Sequence, residues 1–209
     1  MLTLDQIAIE CGTDKCIEGG HAYVKHYDHF FAPLRFTPVT LCEIGTWRGA
    51  SMRMWRRYFD DFEAKIVGFD HAPEWLPDKD NPFCRDIVIE VGSQEDMEFQ
   101  RDFGKRHGPF DIVVDDGGHK PQQHVASFTA LWRFVKPGGY YCIEDLHSIW
   151  DPCWHEYRGE QTIFDLLDIQ WQDVLVGGSD IQEVHVLGGH WNDGLLVLRK
   201  RYEDYHPRT

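Results

Sequence analysis

Short apolar runs punctuated by glycine, proline and acidic residues alternate along this chain with longer stretches whose apolar positions fall at helical spacing. The runs read as strands and the periodic stretches as amphipathic helices. Thr3-Leu4-Asp5-Gln6 has the form of a capping box that opens a short helix through about Glu10. A second helix is expected over residues 21–34, where Tyr23, Tyr27, Phe30, Phe31 and Leu34 share one face and Pro33 and Pro38 end it. Strands follow at 39–44, 64–70, 86–91 and 110–115, with helices at 50–59 and 94–107 between them. Pro121 suits the first position of another helix, whose Val125, Phe128, Leu131, Trp132 and Val135 face the sheet and which Pro137-Gly138-Gly139 terminates. A fifth strand at 140–144, a helix at 162–175 and a closing hairpin at 181–187 and 194–199 complete the order. Strands alternating with helices give an α/β chain with a doubly wound, Rossmann-like sheet of seven strands, the last antiparallel, and helices on both faces.

The length of 209 residues suits one domain. It divides into an N-terminal helical cap or lid at 1–37 and a catalytic core at 38–200. A net charge of -14 argues against nucleic acid or an anionic membrane surface as the main partner. It suits neutral or cationic ligands, or metal cations. No transmembrane-length segment and no signal-peptide pattern is present, so the chain reads as cytoplasmic. The six cysteines form no C-x-x-C pair; the regular spacing of Cys11, Cys16, His21 and His26 is not a usual zinc-ligand spacing.

The stretch Phe110 to His119, F-D-I-V-V-D-D-G-G-H, concentrates the most candidate chemistry. Its apolar half is a buried strand, and it ends in two carboxylates, two glycines and a histidine. Ligands of open α/β sheets bind at such carboxyl ends. If strands four and five are neighbours, Asp116 meets Glu144 and Asp145. Three carboxylates at close quarters repel unless one is protonated or a cation lies between them. All-oxygen ligation favours Mg²⁺, with Mn²⁺ or Ca²⁺ as alternatives. An acceptor hydroxyl beside the ion becomes more acidic, and His119 is placed to take its proton; His147 is a second, lower-ranked base. At the end of the first strand, Glu43-Ile44-Gly45-Thr46-Trp47-Arg48-Gly49 lacks the G-x-G-x-x-G of a pyrophosphate site. An acid before the turn repels phosphate and suits an ammonium group, while Asp70 can accept from ribose hydroxyls. A nucleoside with a cationic tail, such as S-adenosyl-L-methionine, meets both conditions.

The segments E-I-G-T-W-R-G (43–49), V-G-F-D (67–70), F-D-I-V-V-D-D (110–116) and V-K-P-G-G-Y-Y (135–141) together resemble the class I S-adenosylmethionine-dependent methyltransferases. D-D-G-G-H (115–119), I-E-D-L-H (143–147), W-R-R-Y-F (55–59) and G-T-D-K…H-A-Y (12–23) resemble more closely the metal-dependent sugar O-methyltransferases of macrolide antibiotic biosynthesis, the mycinamicin and macrocin type. Gly118 stands where those enzymes commonly carry serine. The resemblance implies that Glu43, Gly45 and Gly49 line the methionine end and that Asp70 holds the ribose. It puts the adenine beside residues 92–96, with Ser93 and Gln94 as contacts, and Asp115 toward the cofactor. It implies metal ligands Asp116, Glu144 and Asp145, His119 as base, a small-molecule hydroxyl acceptor on a sugar or sugar-bearing natural product, and assembly as a homo-oligomer. The alternatives are a catechol-type O-methyltransferase, although such enzymes typically carry Asp-Asn where this chain has Glu144-Asp145, a non-catalytic cofactor-binding protein, and a hydroxylase-like relative. An aromatic loop at 148–159 is a candidate acceptor wall.

Overall fold

The computed structural model describes residues 1–74, 76–77, 84, 86–150, 153, 159–167, 179–188 and 194–202. The elements run α1 (Leu4–Cys11), α2 (Val24–Phe31) with a 3-10 turn at Ala32–Leu34, β1 (Thr40–Ile44), α3 (Ala50–Tyr58), β2 (Lys65–Asp70) and β3 (Ile87–Val91). There follow α4 (Met97–His107), β4 (Phe110–Asp115), α5 (Pro121–Leu131), β5 (Val135–Ile143), α6 (His147–Trp150), α7 (Ile163–Leu167), β6 (Ile181–Gly188) and β7 (Gly194–Lys200). The strands form one seven-stranded sheet in the order β3-β2-β1-β4-β5-β7-β6. β7 runs antiparallel to both its neighbours, and the other pairings are parallel.

The period of two in the central strands decides which helix layer each side chain meets. Leu41, Ile112, Val114 and Cys142 pack with α1, α2 and α3 on one face. Cys42, Val113, Tyr141 and Ile143 pack with α4, α5 and α7 on the other. Burying each large apolar side chain stabilises the layers by about 1.5–3 kcal/mol. Helices α1 and α2 are thus part of one core layer. What reaches the carboxyl edge of the sheet from residues 1–37 is the loop between them and the first turn of α2.

Local signals fix several boundaries. Thr3 and Gln6 form the capping box of α1, which Gly12 ends in the left-handed conformation at φ +72°. The helix expected from residue 94 begins at Met97, because Asp96 caps it by accepting from the amides of Glu98 and Phe99. The helix expected from residue 21 begins at Val24, since Ala22 takes φ +63°. Pro137-Gly138-Gly139 lies inside β5. The pairing passes from Phe110–Val135 to Ile112–Tyr140, so a bulge absorbs the breaker residues without ending the strand. Of the helix expected at 162–175, Ile163–Leu167 is observed and 168–175 lies outside the described residues. Among the described residues no helix is long and apolar enough to cross a membrane.

Candidate active site

A cleft of about 850 Å³ opens at the carboxyl ends of β1, β2, β4 and β5, where the strand order reverses about β1. Gly45 begins its floor at φ +81°, and a Cβ there would sit 2.0 Å from the carbonyl oxygen of Asp116. Glycine is required where the β1 and β4 turns come this close. Asp70 lines the cleft and also pins the first turn: Oδ2 accepts from the amides of Thr46 (2.9 Å) and Trp47 (2.8 Å), and Oδ1 from that of Ala72 (2.9 Å). Trp47 stands at the rim with φ +36°, its indole donating to Glu74 at 3.2 Å and Arg48 lying over its ring at 4.6 Å. On the opposite wall Gln94 accepts from the amide of Gly118 (2.9 Å) and donates to Asp115 (2.7 Å), tying the β3 and β4 ends together.

The acid cluster forms the far end of the cleft. The amide of Glu144 donates to the carbonyl of Asp115 at 3.0 Å, so the tips of β4 and β5 are in register and Asp116 stands beside Glu144 and Asp145. One ligand atom from each of Asp116, His119 and Asp145 comes within 4.8 Å of the others. His119 Nε2 lies 3.5 Å from Asp145 Oδ2. Both residues hold left-handed backbones, at φ +58° and +53°, which costs about 1–3 kcal/mol each and is found where function demands a fixed side chain. Burial pushes the Asp145 carboxyl up, but His119, the Tyr23 hydroxyl at 2.7 Å, His21 and Lys15 outweigh it and hold Asp145 below the usual carboxylate range.

The cation between the carboxylates is a lysine. Lys15 Nζ lies 2.5 Å from Asp116 Oδ2, 2.7 Å from Glu144 Oε2 and 3.8 Å from Glu43 Oε1, with its side chain 1% exposed. Burial works against its charge, yet Asp116, Glu144, Glu43 and Asp14 raise its pKa well above the ordinary lysine value. The Tyr27 hydroxyl donates to the other oxygen of Glu144 at 2.6 Å.

Gly45, Asp70, Ser93, Gln94, Asp116, His119 and Asp145 therefore share the cleft wall. Glu144 adjoins the cluster from behind, because Lys15 and Tyr27 engage its two oxygens from the core side. Glu43 is withdrawn from the cleft. It is fully buried, its oxygens accepting from Ser51 Oγ (2.7 Å) and Trp55 Nε1 (3.2 Å), and burial raises its pKa to about 7 despite Lys15. In that place it anchors α3 to β1. Gly49 serves as the left-handed N-cap of α3 at φ +67°. Asp115 is also fully buried, with its pKa raised to about 7, chiefly by burial. His147 stacks obliquely near His119, with ring centroids 6.2 Å apart. Cys11, Cys16 and His26 turn to separate partners, Arg57, the carbonyl of Glu18 and the carbonyl of Gly188. Of the aromatic loop, Trp150 is described and 47% exposed, while Trp154 and Tyr157 lie outside the described residues. Lys15, Tyr23 and Tyr27 are the site residues that sequence reasoning did not assign; G-T-D-K and H-A-Y at 12–23 hold the first two, and Tyr27 showed only as one position on the apolar face of the second helix.

A family model for a methyltransferase domain matches residues 42–146, the span from β1 to the acid cluster. The chain is 37% identical over 202 residues to demethylmacrocin O-methyltransferase of Streptomyces fradiae, covering 86% of this chain and 49% of that enzyme. It is 38% identical over 139 residues to a Streptomyces olivaceus 3'-O-methyltransferase of a methoxyrhamnosyl tetracenomycin, covering 63% of this chain and 34% of that enzyme. The chain thus spans about half or less of the length of these relatives. The MycE methyltransferase of the mycinamycin biosynthetic pathway, solved with Mg, SAH and mycinamycin VI, superposes with a TM-score of 0.77 at 28% identity, covering 100% of this chain and 57% of that one. With the strand order, the cleft at its reversal point and a family match over half of its length, this chain belongs to the methyltransferase-domain family.

Proposed function

We propose that this chain is an S-adenosyl-L-methionine- and Mg²⁺-dependent O-methyltransferase acting on a hydroxyl of a sugar or sugar-bearing natural product. The observation that carries this reading is the convergence of Asp116, His119 and Asp145 on the wall of a cleft of about 850 Å³. That volume suits a nucleoside-sized ligand with room for an acceptor group. Asp70 and Gln94 supply polar contacts at the end away from the acids. The donor set also fits a hard divalent cation: Asp116 and Asp145 present carboxylate oxygens to the cleft, and Glu144 stands adjacent. Mn²⁺ or Ca²⁺ would fit the same donors.

When bound, such an ion makes a hydroxyl placed against it more acidic. The chain's residues do the rest. Asp116 and Asp145 would fix the acceptor end of the cleft, and the glycine turn after β1 would line the end that takes the methyl donor. His119 Nε2 takes the hydroxyl proton, and Asp145 at 3.5 Å stabilises the imidazolium. A bound methyl donor would supply the methyl carbon to the acceptor oxygen with cleavage of its carbon–sulfur bond, which would leave S-adenosylhomocysteine. Alignment alone can supply about 7–11 kcal/mol. The sugar acceptor rests on the relatives, whose names give a rhamnosyl tetracenomycin, mycinamicin VI and L-olivosyl-oleandolide as the molecules methylated.

The test is transfer of labelled methyl from S-adenosylmethionine to a panel of glycosylated polyketides and catechols, with and without EDTA. EDTA-sensitive labelling of a glycoside is the expected result. Labelling of catechols alone would overturn the acceptor class, and full turnover in EDTA would remove the metal.

A further inference from the structure

Lys15 is more than a filled position in the N-terminal loop. Its ammonium lies behind the strand tips, whereas the side chains of Asp116, His119 and Asp145 keep 23%, 23% and 12% of their surface toward the cleft. The loop that delivers it is tightly folded: the amide of His21 donates to the Asp14 carbonyl (2.7 Å), that of Ala22 to Cys16 (2.9 Å), and that of Val24 to Lys15 itself (3.1 Å). A Cβ on Gly20 would fall 2.0 Å from the Asp14 carbonyl oxygen, so the turn closes only with glycine. The loop therefore presents the lysine in one place. Four carboxylates, those of Glu43, Asp116, Glu144 and Asp145, crowd this end of the site. A buried carboxylate pair without a counter-charge is costly, and a buried ammonium without partners equally so.

We propose that Lys15 is a built-in counter-cation of the acid cluster, a positioning residue that holds Asp116 and Glu144 together before a divalent ion arrives and weakens the cluster's grip on that ion by cancelling one negative charge. This rests on the cluster being the metal site of the proposed function. Two consequences have opposite signs. Without the ammonium the metal-free protein loses stability, because the carboxylates repel. The same change tightens divalent binding, because Asp116 Oδ2 and Glu144 Oε2 lose the cation that competes with the ion for them. A lysine with a purely structural role would show the first effect and not the second. One that served only to orient the ligands would loosen the metal.

The experiment measures Mn²⁺ binding to the full chain by calorimetry and electron paramagnetic resonance for the wild type, Lys15→Met, Lys15→Gln and Lys15→Arg, with melting curves in EDTA and in saturating Mn²⁺. The neutral variants are expected to bind Mn²⁺ on the order of tenfold or more tightly than wild type, given a unit charge removed at close range. They should melt lower in EDTA and recover more than wild type when Mn²⁺ is added. Lys15→Arg, which keeps the charge, should stay near the wild-type affinity. Unchanged or weaker binding by both neutral variants would overturn the role of Lys15. So would their failure to fold in Mn²⁺ as well as in EDTA. Absence of Mn²⁺ binding by the wild type would instead overturn the metal reading beneath it.

Discussion

His124 offers a sharp link between the site and the stability of the helix that supports it. It lies in α5, wholly buried, and neither ring nitrogen has a hydrogen-bond partner among the described residues. Burial, with smaller contributions from the nearby His119 and His147 imidazoles, lowers its pKa to about 3 against the pull of Asp145. The folded protein thus refuses a proton that the unfolded chain accepts below the ordinary histidine value of about 6.5. Stability from this group is complete above about pH 6.5 and is lost as the pH falls toward about 3. At about pH 5 the loss amounts to some 1.5 pH units at about 1.36 kcal/mol each, or about 2 kcal/mol. His124→Leu removes the titration while keeping an apolar side chain of similar size. Denaturant unfolding of both proteins at about pH 7.5 and about pH 5 is the assay, with the stability drop about 2 kcal/mol smaller in the variant. Other histidines and the carboxylates contribute alike to both proteins. Parallel pH profiles would show instead that His124 takes up its proton as readily folded as unfolded.

Three further changes probe the cleft and the residues behind it. His119→Ala should lower the methyl-transfer rate by about 10²–10⁴-fold with S-adenosylmethionine affinity unchanged, measured by turnover and calorimetry; a wild-type rate would remove His119 as base. Gly45→Ala should abolish S-adenosylhomocysteine binding and lower the melting temperature, since its Cβ would meet the Asp116 carbonyl at 2.0 Å. Retained binding there would show that the two turns can separate. Tyr27→Phe leaves an oxygen of Glu144 without its donor and should cost about 1–3 kcal/mol in denaturant unfolding, an effect that an unchanged midpoint would contradict.

The sheet was legible because its central strands are apolar on both faces, and runs such as Ile112-Val113-Val114 admit few other placements. The meeting of Asp116 with Glu144 and Asp145 followed from the neighbouring positions of β4 and β5. Glu43 was harder to place. From sequence it is an acid near a strand end, but only the packing of α3 shows that Ser51 and Trp55 take both its oxygens. Lys15 was harder still. A single lysine in a glycine-rich loop carries no periodicity, and its partners lie 101 and 129 residues away. Sequence reasoning left a protonated carboxylate or a cation between the acids as the alternatives; the structure places a cation from the chain itself, Lys15, between Asp116 and Glu144. Pro137-Gly138-Gly139 misled for another reason, since a bulge allows breaker residues to lie within a strand.

Anomalous diffraction from crystals of this chain grown with Mn²⁺ and S-adenosylhomocysteine locates the ion relative to the acid cluster and the cofactor sulfur. An anomalous peak at about 2.1 Å from carboxylate oxygens of Asp116 and Asp145, with the cofactor sulfur facing it across the cleft, is the expected result. Mn²⁺ bound elsewhere, or a sulfur pointing away from His119, would contradict it.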